Sequence, residues 1–386
     1  MKKNKQIFLH PPYIKGNEWT YVKECLNSGW ISKGKYNNIF EQKIANFTRS
    51  KYTIACINGT SALQISLKIV GVLADDEVIV PTITFIAPVN AIKYNGANPI
   101  FMDVDDFHNL DADKTIQFLK NETVFKSGFT YNKKTSRRIS AIIPVHTWGN
   151  AANLEELLLL CQERNIAVVE DASESLGTTY INGSFSKKHT GTIGLVGCLS
   201  FNVNKIITSG GGGMILTEND KIAETARYLV NQAKDDTVWY KHNEVGYNYR
   251  LSNINASLGV AQFEKLEEFL AKKKSIHQLY VKGFDDIEGI SVMEIPQFSN
   301  SNYWLNILKF DNKYPRQLSK IINDLNNQAI QTRPVWHPNH LQKPYINCQT
   351  YKIEKAQKII SNSLCVPSGI DLREEDIKLI IKYFDE

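Results

Sequence analysis

The sequence has no apolar run approaching the roughly 18–20 residues that a membrane helix requires, no Cys-x-x-Cys pair and no marked excess of either charge. Its six cysteines (Cys25, Cys56, Cys161, Cys198, Cys348, Cys365) lie far apart, a spacing that argues against a disulfide framework and against a zinc cluster. They read as small buried hydrophobes in a reducing compartment. With 45 Lys+Arg against 40 Asp+Glu the net charge is only +5, so nucleic-acid binding has no strong electrostatic support. The dense basic runs are Lys2-Lys3, Lys133-Lys134 with Arg137-Arg138, and Lys272 to Lys274, and each reads as a solvated face. The start MKKNKQIFLHPP has the charge of a secretion signal, but its apolar run is three residues long before His10-Pro11-Pro12. These absences predict a soluble cytoplasmic protein with no nucleic-acid or membrane partner.

What is present is the composition of an ordinary globular chain, 42% hydrophobic and 22% charged over 386 residues, long enough for two domains. Strand-like runs at Thr53–Ile57, Glu77–Val80, Pro99–Val104, Ala141–Val145, Ile166–Glu170, Cys198–Phe201 and Met214–Thr217 alternate with helical patterns. Helices are predicted at Glu18–Ser28, Tyr36–Phe47, Ala87–Tyr94, Leu154–Arg164 and Lys221–Gln232. Continuous apolar strands between helices argue for a largely parallel sheet covered on both faces. The polar stretch 121–139 reads as a surface excursion of hairpin type. From Phe263 onward the pattern becomes that of a smaller α+β unit, which predicts a large domain over 1–255 and a C-terminal domain over 256–386.

Ligands of such sheets sit outside the carboxyl ends of the strands, which singles out Phe85, His146, Trp148, Asp171 and Glu174. Asp171 closes the buried run IAVVED, where a carboxylate needs a partner or a helix to cap, here 172–176. Asn58-Gly59-Thr60-Ser61 lies between a strand and a helical pattern. Such a helix N-terminus suits an anion and an N-cap alike. In CLSFNVNKIITSGGGGM, Lys205 stands between an apolar run and four glycines, Gly210 to Gly213. A Schiff-base lysine must spend time uncharged, so it needs partial burial, which Ile206 and Ile207 suit. The glycines permit close approach to a bulky ligand, but no Gly-Lys-Ser/Thr follows them, so this is no nucleotide P-loop. In the tail, Arg333 is a candidate for holding an anion. His337 and His340 lack a third ligand for metal, and no metal site is expected.

With SGWIS (28–32), NGTSAL, PTITFIAP, EDASESLG, SFNVNKIITSGGGGM, YNYRLSN, TRPVWHP and VPSG in this order, the sequence resembles the DegT/StrS-type nucleotide-sugar aminotransferases of the aspartate aminotransferase superfamily. The resemblance spans nearly the whole chain. It implies an α/β fold of type I, with a large, mostly parallel seven-stranded sheet domain and a smaller α+β domain, in a homodimer whose active sites lie at the subunit interface. It implies pyridoxal 5′-phosphate as cofactor, pyridoxamine phosphate as its aminated form, and L-glutamate and a nucleotide-sugar as substrates. Lys205 is then the Schiff-base lysine and proton carrier, and Asp171 the partner of the pyridinium nitrogen. Glu174 falls near the cofactor 3-hydroxyl and Phe85 on the ring. Gly59, Thr60, Ser61, Ser200 and Asn202 belong to the cofactor site, with Asn248 arriving from the partner subunit. Trp30, Ser32, His146, Trp148, Arg333 and His337 fall to the substrate. Two departures stand out: Val203 where relatives commonly carry glycine, and Trp148 where they carry Tyr or Phe. Within the family the resemblance is to enzymes that aminate UDP-4-keto-6-deoxy-N-acetylglucosamine, and the alternatives are a GDP-4-keto-6-deoxymannose or dTDP-keto-sugar aminotransferase. Sugar dehydratases of this fold carry histidine in place of the lysine. A non-catalytic regulator would have little use for Lys205, Asp171 and Ser200 together.

Overall fold

The computed structural model describes residues 6–385, so Lys2-Lys3 lies outside the described residues. At its centre is an eight-stranded sheet in the spatial order Tyr52–Cys56, Gly213–Thr217, Val196–Ser200, Ala167–Asp171, Ile139–Ile142, Glu77–Pro81, Asn98–Met102, Gln349–Tyr351. Gly213–Thr217 runs antiparallel to both of its neighbours, and the other neighbouring pairs are parallel. Seven of these strands are the predicted ones. The eighth corrects the expectation of seven: Gln349–Tyr351 comes from the C-terminal part and adds beside Asn98–Met102. Three residues with Gln and Thr among them carry no strand pattern long enough to read.

Gly59–Ile69 packs on the central strands Val196–Ser200 and Gly213–Thr217 with every residue from Ser61 to Leu67 buried. A helix enclosed this way has no polar face, and Ser66 turns its hydroxyl to the Cys198 thiol at 3.3 Å. The excursion at 121–139 contains a hairpin, Thr123–Lys126 with Phe129–Asn132. Residues 172–176 form a turn rather than the short helix for which Asp171 was a candidate cap; Asp171 instead accepts from the Ser173 N–H at 3.0 Å.

The smaller unit is an antiparallel sheet in the order Ile290–Val292, Asn306–Phe310, Ser363–Val366, Arg333–Pro334. Its core gathers Tyr280, Phe284, Leu308, Ile321, Leu364, Ile380 and Phe384 from that sheet and from the helices Leu266–Phe284, Leu318–Asn327 and Glu374–Asp385. The expected division at 255/256 falls inside the helix Asn253–Phe263, which packs against Glu18–Ser28 and Lys35–Thr48. Ile7 also crosses that division, exchanging backbone hydrogen bonds with Ala329 and Gln331.

Gly197 sits in the strand beside Glu170, and a Cβ there would overlap the backbone carbonyl of Gly191. Backbone cannot give way as a side-chain tip can. Gly197→Ala is therefore expected to cost about 1–3 kcal/mol, read as a drop of several degrees in Tm by thermal melting.

Candidate active site

The carboxyl ends of Ala167–Asp171 and Val196–Ser200 open into a cavity of about 570 Å3. Its walls include Gly59, Thr60, Phe85, Trp148, Asp171, Glu174, Ser200, Asn202, Lys205, Arg333 and His337. Eleven of the residues singled out in the sequence thus meet in one place, drawn from six separate stretches of chain.

Lys205 lies in the turn after Val196–Ser200, its backbone N–H donating to Asn202 O at 3.0 Å and its side chain only 13% exposed. The buried Ile206 and Ile207 anchor that turn in the core. Its Nζ stands 3.6 Å from Glu174 Oε1. Burial pushes the Glu174 carboxyl up to about 7, although the Lys205 ammonium and the Trp148 N–H, 2.9 Å from Oε2, pull the other way. Burial likewise raises Asp171, with Ser173 and Lys205 offsetting part of the rise.

Trp148 is fixed at three points. Its backbone N–H holds Glu174, its indole N–H donates to His108 Nδ1 at 3.1 Å, and its ring stacks on Trp336 with centroids 4.1 Å apart. Burial lowers His108 to about 3, so the imidazole is neutral and free to accept that bond.

The anion-binding end is built from Gly59–Ile69. Asn58 caps it by accepting from Ser61 N at 2.8 Å, which spends the Ser61 N–H and leaves Ser61 buried, outside the cavity lining. A Cβ on Gly59 would come within 2.9 Å of Ser200 Cβ, and the hydroxyls of Ser173 and Ser200 converge on the same spot. Within the glycine run, a side chain on Gly213 would overlap the Asn58 carbonyl and meet Gly59 N, so this glycine permits a close approach to the helix N-terminus.

His146 does not belong to the cavity. It is fully buried, with Nε2 2.8 Å from Glu170 Oε2 and Nδ1 accepting from Ala152 N at 3.0 Å. Glu170 also accepts from Gly191, Ile193 and Gly194 N–H groups. Burial raises the Glu170 carboxyl, but His146 and these N–H groups outweigh it and hold the group below its ordinary value. The His146 side chain is thus spent on Glu170 and Ala152 rather than turned toward a substrate. Trp30 lines a second cleft of about 870 Å3, with Arg250 and Asn253. Ser32 lies by it, its carbonyl accepting from Asn253 N at 3.1 Å, and the exposed Asn248 bridges Asn231. None of Trp30, Ser32 and Asn248 lines the Lys205 cavity of its own chain. His340 bonds Thr82 Oγ1 at 2.7 Å, and no group of three metal-ligating side chains exists among the described residues.

Among the cavity residues that the sequence reading passed over are Leu9, Ser173 and Trp304. Leu9 sits in the segment that reads as an aborted signal sequence, Trp304 in the α+β pattern after Phe263, where an aromatic reads as core. Ser173 offered the sole signal, as the middle of EDASES.

An amine held by a carboxylate, a second buried carboxylate and a capped helix N-terminus cleared by a glycine fit a phosphate-bearing aldehyde far better than a metal. The class so defined is the pyridoxal-phosphate-dependent transferase of fold type I. The chain belongs to the DegT/DnrJ/EryC1/StrS aminotransferase family, whose pattern matches residues 12–385, and pyridoxal phosphate is its cofactor. EpsN of Bacillus subtilis is 34% identical over 98% of this chain and 95% of its own. GDP-perosamine synthase of Caulobacter vibrioides is 33% identical over 99% and 98%. The structure of Spr1654 from Streptococcus pneumoniae, solved in PLP and PMP forms, superposes with a TM-score of 0.86, covering 98% of each chain for the PLP form and 98% and 97% for the PMP form, at 24% identity.

The two carboxylates give opposite tests. Glu174 holds its proton more tightly in the fold (about 7) than at its ordinary 4.5, so its contribution to stability is present below the lower value and lost as pH rises through the higher. In cofactor-free protein, Glu174→Gln should therefore gain about 2–3 kcal/mol relative to the parent between pH 4 and pH 8, measured by urea unfolding. His146→Leu leaves Glu170 charged without its imidazole. It should cost about 3–5 kcal/mol in the same assay while the KM for substrate stays at the parental value.

Proposed function

We propose that the chain transfers the amino group of L-glutamate to C4 of a UDP-4-keto-6-deoxy-N-acetylhexosamine, giving a UDP-4-amino-4,6-dideoxy sugar for surface glycan synthesis in the cytoplasm. The observation that carries the reading is Lys205, 3.6 Å from Glu174 in a cavity it shares with Asp171 and the N-terminus of Gly59–Ile69. Pyridoxal phosphate, when bound, supplies an electron sink that lets a proton leave or join the carbon bearing nitrogen. Gly59, Thr60 and Ser200 would hold its phosphate, with Asn202 at the edge, because backbone N–H groups at a helix start and a hydroxyl favour an anion. Asp171, buried and negatively charged when partnered, would keep the ring nitrogen protonated, and Phe85 would cover the ring face.

In each half-reaction Lys205 would take a proton from one carbon and hand it to another, from glutamate to the cofactor in the first and from the cofactor to the sugar carbon in the second. Glu174 holds the ammonium in place between these events and is itself oriented by the Trp148 N–H. Arg333 and His337, exposed on the cavity wall, offer positive charge and hydrogen bonds to the carboxylates of glutamate and to the diphosphate of the sugar nucleotide. Trp30, Ser32 and Asn248 lie away from the Lys205 cavity of their own chain. We assign them to the site of a second copy, in a homodimer with shared active sites.

The UDP-sugar assignment draws on the excursion at 121–139 and on the TRPVWHP segment. A second reading, GDP-4-keto-6-deoxymannose, is favoured by the GDP-perosamine synthase of C. vibrioides, whose length this chain matches almost fully. Absorbance of the protein loaded with pyridoxal phosphate separates them. A visible band absent from Lys205→Ala should bleach with glutamate and return with the UDP-keto-sugar. Return with the GDP sugar alone transfers the assignment to the second reading, and no Lys205-dependent band overturns both.

A further inference from the structure

Lys205 touches a second group besides Glu174: its Nζ lies 4.3 Å from the centroid of the Trp304 ring. That ring is held from every side. The Trp304 backbone N–H donates to Asn302 Oδ1 at 2.9 Å, and the same Asn302 side chain donates to Glu174 O and Leu176 O. The Trp304 carbonyl accepts from Lys273 Nζ at 2.8 Å, and Lys273 is a fully buried lysine of the helix Leu266–Phe284. The indole N–H donates to Asn204 O at 2.7 Å, one residue before Lys205, and the ring stacks within 16° of Trp148. Lys273 also donates to Ser368 O, so the Trp304 carbonyl is tied through it to a second strand end, and an indole tied to the neighbour of Lys205 can hardly shift without moving Lys205 too.

A π face attracts an ammonium and has no comparable attraction for a neutral amine. We propose that Trp304 is a positioning residue for Lys205: its indole face holds the free lysine, as the ammonium, beside Glu174 whenever Lys205 is not bonded to the cofactor. The ring thereby fixes where the proton is offered from, and lets the amine go once that proton has been given up. The proposal rests on Lys205 being the cofactor-bearing lysine. It adds that the lysine has a defined resting place on the Trp304 face, which nothing in the sequence motifs supplies.

The test uses the full-length cofactor-free protein, acetylated briefly with acetic anhydride, with modification of Lys205 read by peptide mass spectrometry against the exposed Lys187. At about pH 8, Trp304→Leu should speed acetylation of Lys205 about threefold or more, from loss of the cation–π contact, with Lys187 unchanged. Trp304→Phe, which keeps an aromatic face and loses the bond to Asn204, should fall between. Parental rates in both variants overturn the proposal. So does an acceleration as large in Trp304→Phe as in Trp304→Leu, because that reports only a more open cavity. If the leucine variant does not fold, the phenylalanine variant decides on the same comparison. Failure here is separable from failure of the functional reading, which shows as a missing cofactor band in the parent protein.

Discussion

Two buried carboxylates on one cavity wall are unstable neighbours, and the ammonium of Lys205 is what makes the arrangement tenable. Asp171 and Glu174 are both almost wholly buried, both pushed upward by burial, and both relieved by the same cation. At an effective dielectric near 20, a pair at about 4 Å attracts by about 4 kcal/mol, enough to matter and too little to immobilise the lysine. Such a balance suits the proton-carrying role proposed for Lys205. Trp304, with its ring centroid 4.3 Å from Nζ, adds a second hold of the same sign.

That one contact explains why so many distant stretches are brought together. Two neighbouring strand ends supply Asp171 and the turn carrying Lys205, and the buried helix Gly59–Ile69 aims its N-terminus at the same cavity. The roof comes from the smaller unit, which contributes Trp304 and the segment from Arg333 to His337. The Tyr345 hydroxyl bonds Asn90 Oδ1, and Gln349–Tyr351 pairs with Asn98–Met102, so the C-terminal part is stitched into the large sheet rather than resting against it. The cavity is consequently framed by backbone pairing on more than one side, the kind of support a proton-transfer geometry needs.

The parts of this legible in the sequence are those with local causes. Glu18–Ser28 and Ala87–Tyr94 occupy the predicted residues because their apolar spacing and boundary residues act within one or two turns. Lys205, Asp171, Glu174 and Gly59 were readable because each sits at a strand-to-turn junction whose polarity is out of place in a buried run. His146 was misread for the complementary reason. It occupies the same kind of junction, but its partner Glu170 lies 24 residues on and consumes the side chain. Trp304 was invisible because its importance is set by Lys273, Asn204 and Lys205, none of them near it in sequence. The glycines after Lys205 were recognised as a close approach, and only the fold reveals that what approaches is the backbone of Asn58 and Gly59.

The central claim is that Lys205, among all the lysines of the chain, forms the bond to the cofactor. Protein loaded with pyridoxal phosphate, reduced with borohydride and digested, should carry the pyridoxyl group on the peptide containing Lys205, at close to one group per chain. Reduction that places the group on another lysine, or scatters it over exposed lysines while Lys205 stays unmodified, would contradict the account.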